Sequence, residues 1–575
     1  MIGSRRRAAT DEPARARPRL VWGIVYCLVV LAGLAALVEP RDLGWARSFM
    51  VGAFGRLTIG DHLQVAYYLW LWWHSLATLS HAPWADVFQF ALTGHTTLQA
   101  SGWPLVLVSI PVQAVAGPIA AYNAVFYASF VAAAGFTHLL ARSLGASRAA
   151  AALAGFAYAF APFRLVQSSH ANSLLAFLLP LMLYLAERAI RGPGRAAVWG
   201  WACGAAYFSI VASGELHLAL FATGLLPLFV VIRALGAPRD RLRALVLPAA
   251  AAAIASASVV VLVDVFVLRP GAREATSSAE ILIYTPRLGD LYNRVKPSER
   301  FAYPGIVTFG LALIGFVRMV ADRSRRTIGL WLAGVTVAVY LFALSPGWRL
   351  TFAVYRRIPY VGLIRDPGRI LIVAALCLAV LAGFALTGLR RPVAWVAVGV
   401  LMAGVILDVR SLSPIFARAR AGDNAVAAVP PGAGVLDLPP FPPNHHGSSR
   451  YMLDIMRRAG PRVGGYDVLA SEEIRARQAR SVSLTKVPPA PCQWRDAQRE
   501  FGFQYVVVHP DLFASPPLWP SSGGPGRYPS FGRLRIWPAA GERLIQSLDR
   551  TPGFRRVSSI EGVAVYRIAP RELAC

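Results

Sequence analysis

Long apolar stretches separated by short arginine-rich breaks dominate this sequence. Hydrophobic residues make up 56% of the 575 residues and charged residues only 15%, whereas a soluble protein typically carries about 25% charged residues. An apolar stretch of about 20 residues is long enough to cross a bilayer as a helix. The pattern therefore predicts a mainly α-helical protein that crosses a membrane many times.

Eleven stretches are predicted to span the membrane, each of about 17–25 residues, which is enough to cross roughly 30 Å. The stretch 102–117 is short and contains Pro104 and Pro111, so it is predicted to be a re-entrant or surface helix. The first span follows arginines up to Arg19 and is predicted to stay as an uncleaved helix. The eleven predicted spans are 20–38, 118–141, 148–166, 171–189, 196–213, 216–235, 244–268, 303–320, 327–345, 368–388 and 393–409.

The arginine-rich breaks predict the orientation of these spans. If the basic N-terminus is cytoplasmic, five short basic loops all return to the cytoplasmic side, as the positive-inside rule expects. Membrane orientation therefore explains much of the net charge of +28. Nucleic-acid binding is not needed to explain it, and the sequence has no zinc-finger or RNA-binding signature. The five loops are Arg142–Arg148, Arg188–Arg195, Arg233–Arg243, Arg318–Arg326 and Arg390–Arg391.

The protein is predicted to lie in the inner membrane of a bacterial cell. This orientation divides the chain into three parts. Residues 1–19 form a basic cytoplasmic N-terminus, and residues 20–409 form a transmembrane domain whose first outer loop covers 39–101. Residues 410–575 form an extracytoplasmic domain. Residues 269–302 and 346–367 are also predicted to lie outside.

The C-terminal part is predicted to be a small α/β or α+β domain. Prolines accumulate from about Arg410, and short apolar runs bounded by turn residues indicate strands. This domain covers the membrane active site, binds an acceptor, or is purely structural. The predicted strands are Gly434–Leu438, Tyr505–His509 and Val557–Ile568 with a turn at Glu561-Gly562, and the predicted helices are Ser471–Ser483 and Glu542–Leu548.

Two of the five cysteines, Cys492 and Cys575, lie in this polar part. They are able to form a disulfide if the domain is extracytoplasmic, because disulfides persist in oxidising compartments. The other three, Cys27, Cys203 and Cys377, fall in apolar runs and are predicted to be small residues that face lipid or the core.

The first outer loop holds the candidate catalytic residue. Asp61 precedes an aromatic run that ends with Trp70-Leu71-Trp72-Trp73-His74, which is typical of a helix at the membrane interface. A carboxylate held at that surface is able to act as a general base toward an acceptor hydroxyl. The alternative is that Asp61 only caps the helix.

Further ionisable residues lie near the predicted outer ends of spans, where they are functional candidates because membrane burial of charge is costly. The alternative is an interhelical ion pair, such as Arg164 with Glu215. Among the arginines of the outer loop near residue 368, Arg365 and Arg369 are the best candidates for binding a lipid phosphate. The alternatives are that these arginines contact lipid headgroups, or that the loop lies on the cytoplasmic side. The candidates near span ends are Arg164, His170, Glu215, His217 and Asp264, and the loop arginines are Arg349, Arg356, Arg357, Arg365 and Arg369.

Three segments resemble motifs of the GT-C glycosyltransferases, a group that includes protein O-mannosyltransferases and aminoarabinose transferases. They are Gly60-Asp61-His62-Leu63-Gln64 with the aromatic run, Ala154–Arg164 running on to His170, and Ile364–Arg369. The resemblance covers residues 20–410 and the general layout of the C-terminal domain. It implies a polyprenyl-phosphate sugar donor, transfer on the outer face, and Asp61 as the catalytic base. Many relatives have two adjacent acidic residues where this chain has Asp61-His62, so a divalent metal is left open.

The sequence therefore predicts an inverting glycosyltransferase that moves a sugar from a polyprenyl-phosphate donor to a glycan, lipid or protein acceptor. One alternative is a transporter or flippase, which predicts internal repeats and broken helices; no clear repeat is present. Another is a non-catalytic envelope-assembly scaffold. Besides Asp61 as the base, the residues predicted to bind substrate are His62, Arg164, His170, Glu215, His217, Arg365 and Arg369.

Overall fold

The structure is a computed structural model that describes most of the chain. Asp264, Arg349, Arg356, Arg365 and Cys575, which the sequence analysis singled out, lie outside the described residues. The described residues are 12–38, 48–51, 60–98, 102–192, 195–235, 238–263, 281–282, 284–294, 300–348, 357, 366–412, 415–418, 421–443, 445–465, 472–487, 490–513 and 539–573.

The part before residue 410 is built from helices. Within the described residues, eight helical stretches are long and apolar enough to cross a membrane, and three more apolar helices are shorter, at 21–37, 196–212 and 306–321. Together they correspond to the eleven predicted spans. The helices are α1 (Glu12–Leu37), α2 (Asp61–Thr78), α3 (Val106–Ser143), α4 (Arg148–Ala159), α5 (Pro162–Val166), α6 (Ala171–Leu175), α7 (Leu178–Arg191), α8 (Ala196–Ala212), α9 (Leu216–Ala234), α10 (Arg239–Val263), α11 (Ile306–Ala321), α12 (Arg326–Leu344), α13 (Leu371–Phe384) and α14 (Arg391–Val409).

The segment 102–117, which the sequence predicts to be a re-entrant or surface helix, leads into the next span. Its helical part begins at Val106 and forms the first part of α3, which continues after a break at Gly117, where φ is 83°. A glycine adopts this angle without strain, and Pro118 after it cannot donate a backbone hydrogen bond. The break therefore separates a short helix from the long span that follows it.

The centre of the bundle is α4, which lies in a helical stretch that is completely buried inside the protein. Its sequence of alanines and Gly155 allows neighbouring backbones to approach closely, as small residues do between membrane helices. A Cβ added at Gly383 of α13 would lie 2.8 Å from the Cβ of Ala154. Small side chains thus set the spacing between α4 and α13.

The pair Gly315 and Gly310 on α11 tests this packing. Replacing Gly315 with valine is expected to destabilise the protein by about 1–3 kcal/mol or more, because its Cβ would collide with the carbonyl oxygen of Leu381. Gly310→Val is the matched control, because no atom lies within 4 Å of its added Cβ. Thermal unfolding of the detergent-purified variants measures the difference. Equal melting temperatures for the two variants would refute the close packing of α11 on α13.

The basic loops contact one another at one end of the bundle. Arg325 donates to the carbonyl oxygen of Gly145 at 3.2 Å, and Arg241 donates to that of Gly192 at 3.1 Å. Arg233 donates to the Glu187 carboxylate at 2.7 Å. The first two contacts join loops that the sequence predicted to share the cytoplasmic side.

The first loop and the chain after α14 meet at the opposite end. Strand β1 (Ser48–Val51) pairs antiparallel with β4 (Ile415–Arg418). Within the loop, β2 (Ala85–Asp86) pairs with β3 (Thr97–Leu98). The backbone N–H of Arg462 donates to the carbonyl oxygen of Phe88 at 2.8 Å. The first loop and the C-terminal part therefore lie on the same side of the bundle.

A small sheet domain near the C-terminus confirms the predicted fold class. Its four-stranded sheet has the order β5-β6-β8-β7, with β5 and β6 parallel and the other pairs antiparallel. The strands and helices lie close to the predicted ones, and the predicted turn at Glu561-Gly562 joins β7 to β8. The elements are β5 (Val435–Leu438), α15 (Ser449–Arg457), α16 (Glu472–Arg480), α17 (Pro491–Phe501), β6 (Tyr505–Val508), α18 (Pro510–Phe513), α19 (Ala540–Leu548), β7 (Phe554–Ile560) and β8 (Val563–Ile568).

The cysteine of the sheet domain and the cysteines of the apolar spans differ in bonding. Cys492 is disulfide-bonded, and its predicted partner Cys575 lies outside the described residues. The remaining three cysteines, Cys27, Cys203 and Cys377, are free thiols. Cys203 and Cys377 are buried in the protein, and Cys27 is partly buried.

Candidate functional site

Helix α2 carries the candidate base at its first residue. Gly60 occupies the cap position with φ at 137°, an angle that favours glycine, and its N–H donates to the Ser449 hydroxyl of α15 at 2.8 Å. Asp61 is therefore the first helical residue and not the cap. The sheet domain holds the backbone immediately before it.

Part of the aromatic run of α2 packs inside the protein. Tyr67, Tyr68 and Trp70 are buried in the protein. The Tyr67 hydroxyl donates to Asp86 at 2.7 Å, and Trp70 packs against Phe88 with ring centroids 5.4 Å apart. The reason is that the loop folds back over α2 and covers its aromatic face.

Asp61 and His170 form a close pair. The Nε2 atom of His170 lies 2.7 Å from Oδ2 of Asp61, and their side chains are 11% and 17% exposed. His170 precedes α6 in the break after α5, where its backbone N–H donates to the Gln167 carbonyl at 3.0 Å. The break in the helix thus turns the imidazole toward the start of α2, while the remaining exposure leaves the pair accessible.

Glu215 joins this pair from the turn between α8 and α9. Burial raises the pKa of the Glu215 carboxyl group, the positive charges of Arg369 and His170 oppose this rise, and the negative charge of Asp61 adds to it. These effects require Asp61, His170 and Arg369 each to lie within electrostatic range of Glu215. The structure therefore brings together four predicted site residues from distant parts of the sequence.

Arg369 is positioned by the turn Pro367–Ile370 before α13. Asp366 caps this turn, accepting from the Gly368 N–H at 2.9 Å, and Pro367 is at the first position, where its missing donor costs nothing. The Nε atom of Arg369 donates to the same carboxylate at 3.3 Å. Since Asp366 is buried and Arg369 only 13% exposed, the guanidinium is held in a defined orientation.

A small cavity lies against Arg369. Its lining combines this cation and two polar side chains with an apolar wall. Phe163 also lines a second small cavity, so the two lie side by side. The residues lining the first cavity are Phe163, Asn172, Ser173, Leu218, Phe221, Arg369 and Ile372.

Arg164 is buried beneath this cavity at 1% exposure. Its guanidinium lies over the rings of Phe130, at 4.7 Å, and Tyr158, at 5.6 Å, and donates to the carbonyl oxygen of Ser173 at 3.4 Å. The ion pair between Arg164 and Glu215, considered as an alternative, is not among its contacts. Arg164 instead supports the backbone of a cavity-lining residue.

The two remaining predicted histidines flank the site without lining the cavity. His62 follows Asp61 on α2 and is buried. His217 lies in the first turn of α9, with its ring 6.4 Å from that of Phe221. Their predicted contacts with substrate stay predictions.

Sequence reasoning missed several residues near the site. Asn172 and Ser173 directly follow His170 at the start of an apolar span, and this polar start was an available signal. Tyr122 of α3 lies within electrostatic range of Asp61, and Ser449 contacts Gly60 from the sheet domain. Neither of these last two has a local sequence signal, because only the folded chain brings them near Asp61.

Metal-ligand geometry occurs elsewhere in the described part of the chain. The group of three side chains close enough to hold an ion is Asp437, Asp454 and His509 in the sheet domain. The divalent metal that the sequence left open for Asp61 therefore stays an untested prediction.

No protein-family model matches this sequence, and no curated protein matches it either. Solved structures do match. The aminoarabinose transferase-type protein ArnT from Cupriavidus metallidurans aligns in its apo state with a TM-score of 0.53 and 14% identity, covering 98% of this chain and 100% of that one. Its structure bound to undecaprenyl phosphate gives 0.52 and 15%, covering 96% and 98%.

A mycobacterial arabinofuranosyltransferase, AftD, aligns with a TM-score of 0.57 and 16% identity. The match covers 95% of this chain but only 41% of AftD, so this chain spans less than half of that protein. At these identities the matches establish the fold, and they confirm the fold that the sequence predicted.

Proposed function

Because the chain has the fold of the GT-C glycosyltransferases, we propose that it transfers a sugar from a polyprenyl-phosphate donor to an extracytoplasmic glycan, lipid or protein acceptor. The observation that carries this proposal is the Asp61–His170 pair, 2.7 Å apart, whose neighbour Glu215 is also within electrostatic range of the cavity-lining Arg369. A base and an anion-binding cation are the two groups that this reaction needs.

The cavity suits an amphipathic donor. Arg369 provides a guanidinium for a phosphate, which such groups bind through two parallel hydrogen bonds. Phe163, Leu218, Phe221 and Ile372 provide an apolar wall for the lipid. The ArnT structure holds undecaprenyl phosphate, which supports a donor of the same chemical class for this chain.

In the proposed reaction, Asp61 accepts the proton of the acceptor hydroxyl as its oxygen attacks the anomeric carbon of the sugar. The bond between that carbon and the phosphate oxygen breaks, and the polyprenyl phosphate leaves with the electron pair. Attack opposite the leaving group inverts the anomeric configuration. Arg369 stabilises the negative charge that develops on the departing phosphate.

His170 and Glu215 complete the site in this proposal. His170 holds the Asp61 carboxylate in the orientation needed to reach the acceptor hydroxyl. Glu215, whose pKa is raised mainly by burial, is placed to hydrogen-bond a sugar hydroxyl. His62, Arg164, His217 and Arg365 are proposed to support substrate binding around these groups.

We propose that the site faces away from the cytoplasm of a bacterial cell, at the inner membrane. The basic loops lie at the other end of the bundle, as the positive-inside rule places cytoplasmic loops. Disulfide-bonded Cys492 favours an oxidising compartment for the sheet domain. The proposed domain boundaries are those predicted from the sequence, at residues 19 and 409.

The purified protein, incubated with radiolabelled polyprenyl-phosphate sugars and envelope acceptors, tests the proposed activity. Turnover is the expected result. Uptake into vesicles without turnover would identify a transporter or flippase, and neither activity would identify a scaffold.

His170→Gln tests which of the paired residues takes the proton. Glutamine keeps an N–H donor for the Asp61 carboxylate but cannot act as a base at neutral pH. If His170 orients Asp61, this variant should lose only about tenfold in transfer rate, whereas Asp61→Asn should lose far more. Initial rates of sugar transfer measure both variants. Equal, near-complete losses would instead assign the base to His170.

A further inference from the structure

The sheet domain contains a second group of ionisable side chains, far from Asp61 in sequence and completely enclosed. Asp437 lies in β5, Asp454 in α15, and His509 directly after β6. All three are buried. Asp437 and His509 sit at the carboxyl ends of the two parallel strands, where α/β sheets commonly place ligand sites.

The spacing of their ligand atoms matches a small metal ion. The Nε2 atom of His509 lies 3.3 Å from Oδ2 of Asp454 and 3.8 Å from Oδ1 of Asp437. Ligands bound about 2.0–2.2 Å from a tetrahedral zinc ion lie roughly 3.3–3.6 Å apart. Only small side-chain shifts would therefore bring the three atoms onto one ion.

The hydrogen bonding of the group is incomplete without an additional ligand. Among the described residues, neither carboxylate oxygen of Asp454 and neither ring nitrogen of His509 makes a hydrogen bond of good geometry, although the two side chains approach to 3.3 Å. Buried polar atoms are almost always paired, because leaving them unpaired costs free energy. A cation between these atoms satisfies both side chains at once.

The surroundings resemble an outer ligand shell. Arg462 donates from Nη1 to both oxygens of Asp437, at 3.0 and 3.2 Å. Carboxylates that ligate metals are themselves held by hydrogen bonds in this way. Arg450 also acts electrostatically on Asp454, so the carboxylates face two guanidinium groups besides His509.

Protonation of His509 is the alternative to metal binding. Burial lowers the pKa of His509, but the carboxylates of Asp437 and Asp454 outweigh it and raise the pKa to about 8. A protonated imidazole would satisfy the site by aiming its N–H groups at oxygens. The Nε2 atom lies 3.3 Å from an oxygen of Asp454, but neither ring nitrogen reaches the geometry of a good hydrogen bond. The arrangement fits ligation better than proton donation.

We propose that Asp437, Asp454 and His509 bind a divalent transition metal ion, with zinc as the best match to one imidazole and two carboxylates. The ion joins α15 to the ends of β5 and β6. Since Ser449 at the start of α15 holds the Gly60 N–H, the ion stabilises the contact between the sheet domain and the start of α2. This role is structural and independent of the sugar-transfer reaction.

Metal analysis of the purified full-length protein tests this proposal. After incubation with zinc and removal of excess ion, the wild type is expected to hold about one equivalent by mass spectrometry of the metal. His509→Gln and Asp454→Asn are expected to hold none. Asp549→Asn is the matched control in the same domain, because Asp549 pairs with exposed Arg556, and it should retain the ion.

Chelation of the wild type covers the case in which the variants fail to fold. A strong chelator is expected to lower the melting temperature by several degrees and zinc to restore it, as mass action requires. Wild-type protein without bound metal and without a response to the chelator would overturn the proposal. Retention of the ion by His509→Gln would overturn it as well.

Discussion

Asp61→Asn is expected to reduce sugar transfer by about 10²–10⁴-fold, the contribution typical of a general base. The amide has the shape of the carboxylate and keeps an oxygen 2.7 Å from His170, so binding and folding should change little. It cannot accept the proton of the acceptor hydroxyl, because an amide is not a base near neutral pH. The loss should therefore appear in the rate of the chemical step, measured with saturating donor.

Asp322→Asn is the matched control for this substitution. Asp322 lies at the basic end of the bundle, where its carboxylate accepts from Ser324 at 2.9 Å, and its loss should leave transfer unchanged. Full activity of Asp61→Asn, with a normal melting temperature, would remove Asp61 from the reaction.

Arg369→Gln is expected to reduce transfer by about 10²–10³-fold, the cost typical of removing one group that stabilises a developing anion. Arg369→Lys should recover part of this loss, because lysine keeps the charge but not the planar fork of the guanidinium. Arg571→Gln, an exposed arginine of the sheet domain, is the control. The measurement is the transfer rate over a range of donor concentrations.

Folding must be checked separately for Arg369. Its guanidinium pairs with buried Asp366, and an unpaired buried carboxylate is destabilising. The double variant Arg369→Gln/Asp366→Asn removes both charges, so that no unpaired carboxylate remains in the turn. If this double variant folds normally and transfers sugar at the wild-type rate, Arg369 does not act on the phosphate.

The helices were predictable because a bilayer imposes one length and one polarity on every span. That constraint appears in the sequence as runs of about 20 apolar residues, and the observed helices follow them. The continuation of α3 across Gly117 was not predictable in the same way. A proline-containing stretch permits a break, but only neighbouring helices decide how the two parts join.

The site was predictable in part. His170 and Glu215 stood out because ionisable residues are costly at the ends of apolar spans. Asp61 stood out before the aromatic run of the first loop, and Arg369 among the arginines of a later outer loop. The pairing of Asp61 with His170 was not predictable, since the ion pair considered from the sequence was that of Arg164 with Glu215. Arg164 is buried by aromatic rings, and such long-range packing has no local pattern.

The contact between the start of α2 and the sheet domain was also not predictable from the sequence. The hydrogen bond from Gly60 to Ser449 joins residues 389 positions apart. The sequence predicted that the C-terminal part lies on the same side as the first loop. It carried no sign that α15 contacts the residue before the proposed base.

The central claim is that the cavity beside Arg369 holds the phosphate end of a polyprenyl donor. A photoreactive polyprenyl phosphate, crosslinked to the purified protein and mapped by mass spectrometry, tests this most directly. Crosslinks are expected on the lining residues Phe163, Leu218 or Phe221, strongly reduced in Arg369→Gln and unchanged in Arg571→Gln. Crosslinks confined to the end of the bundle with the basic loops, or unaffected by Arg369→Gln, would contradict it.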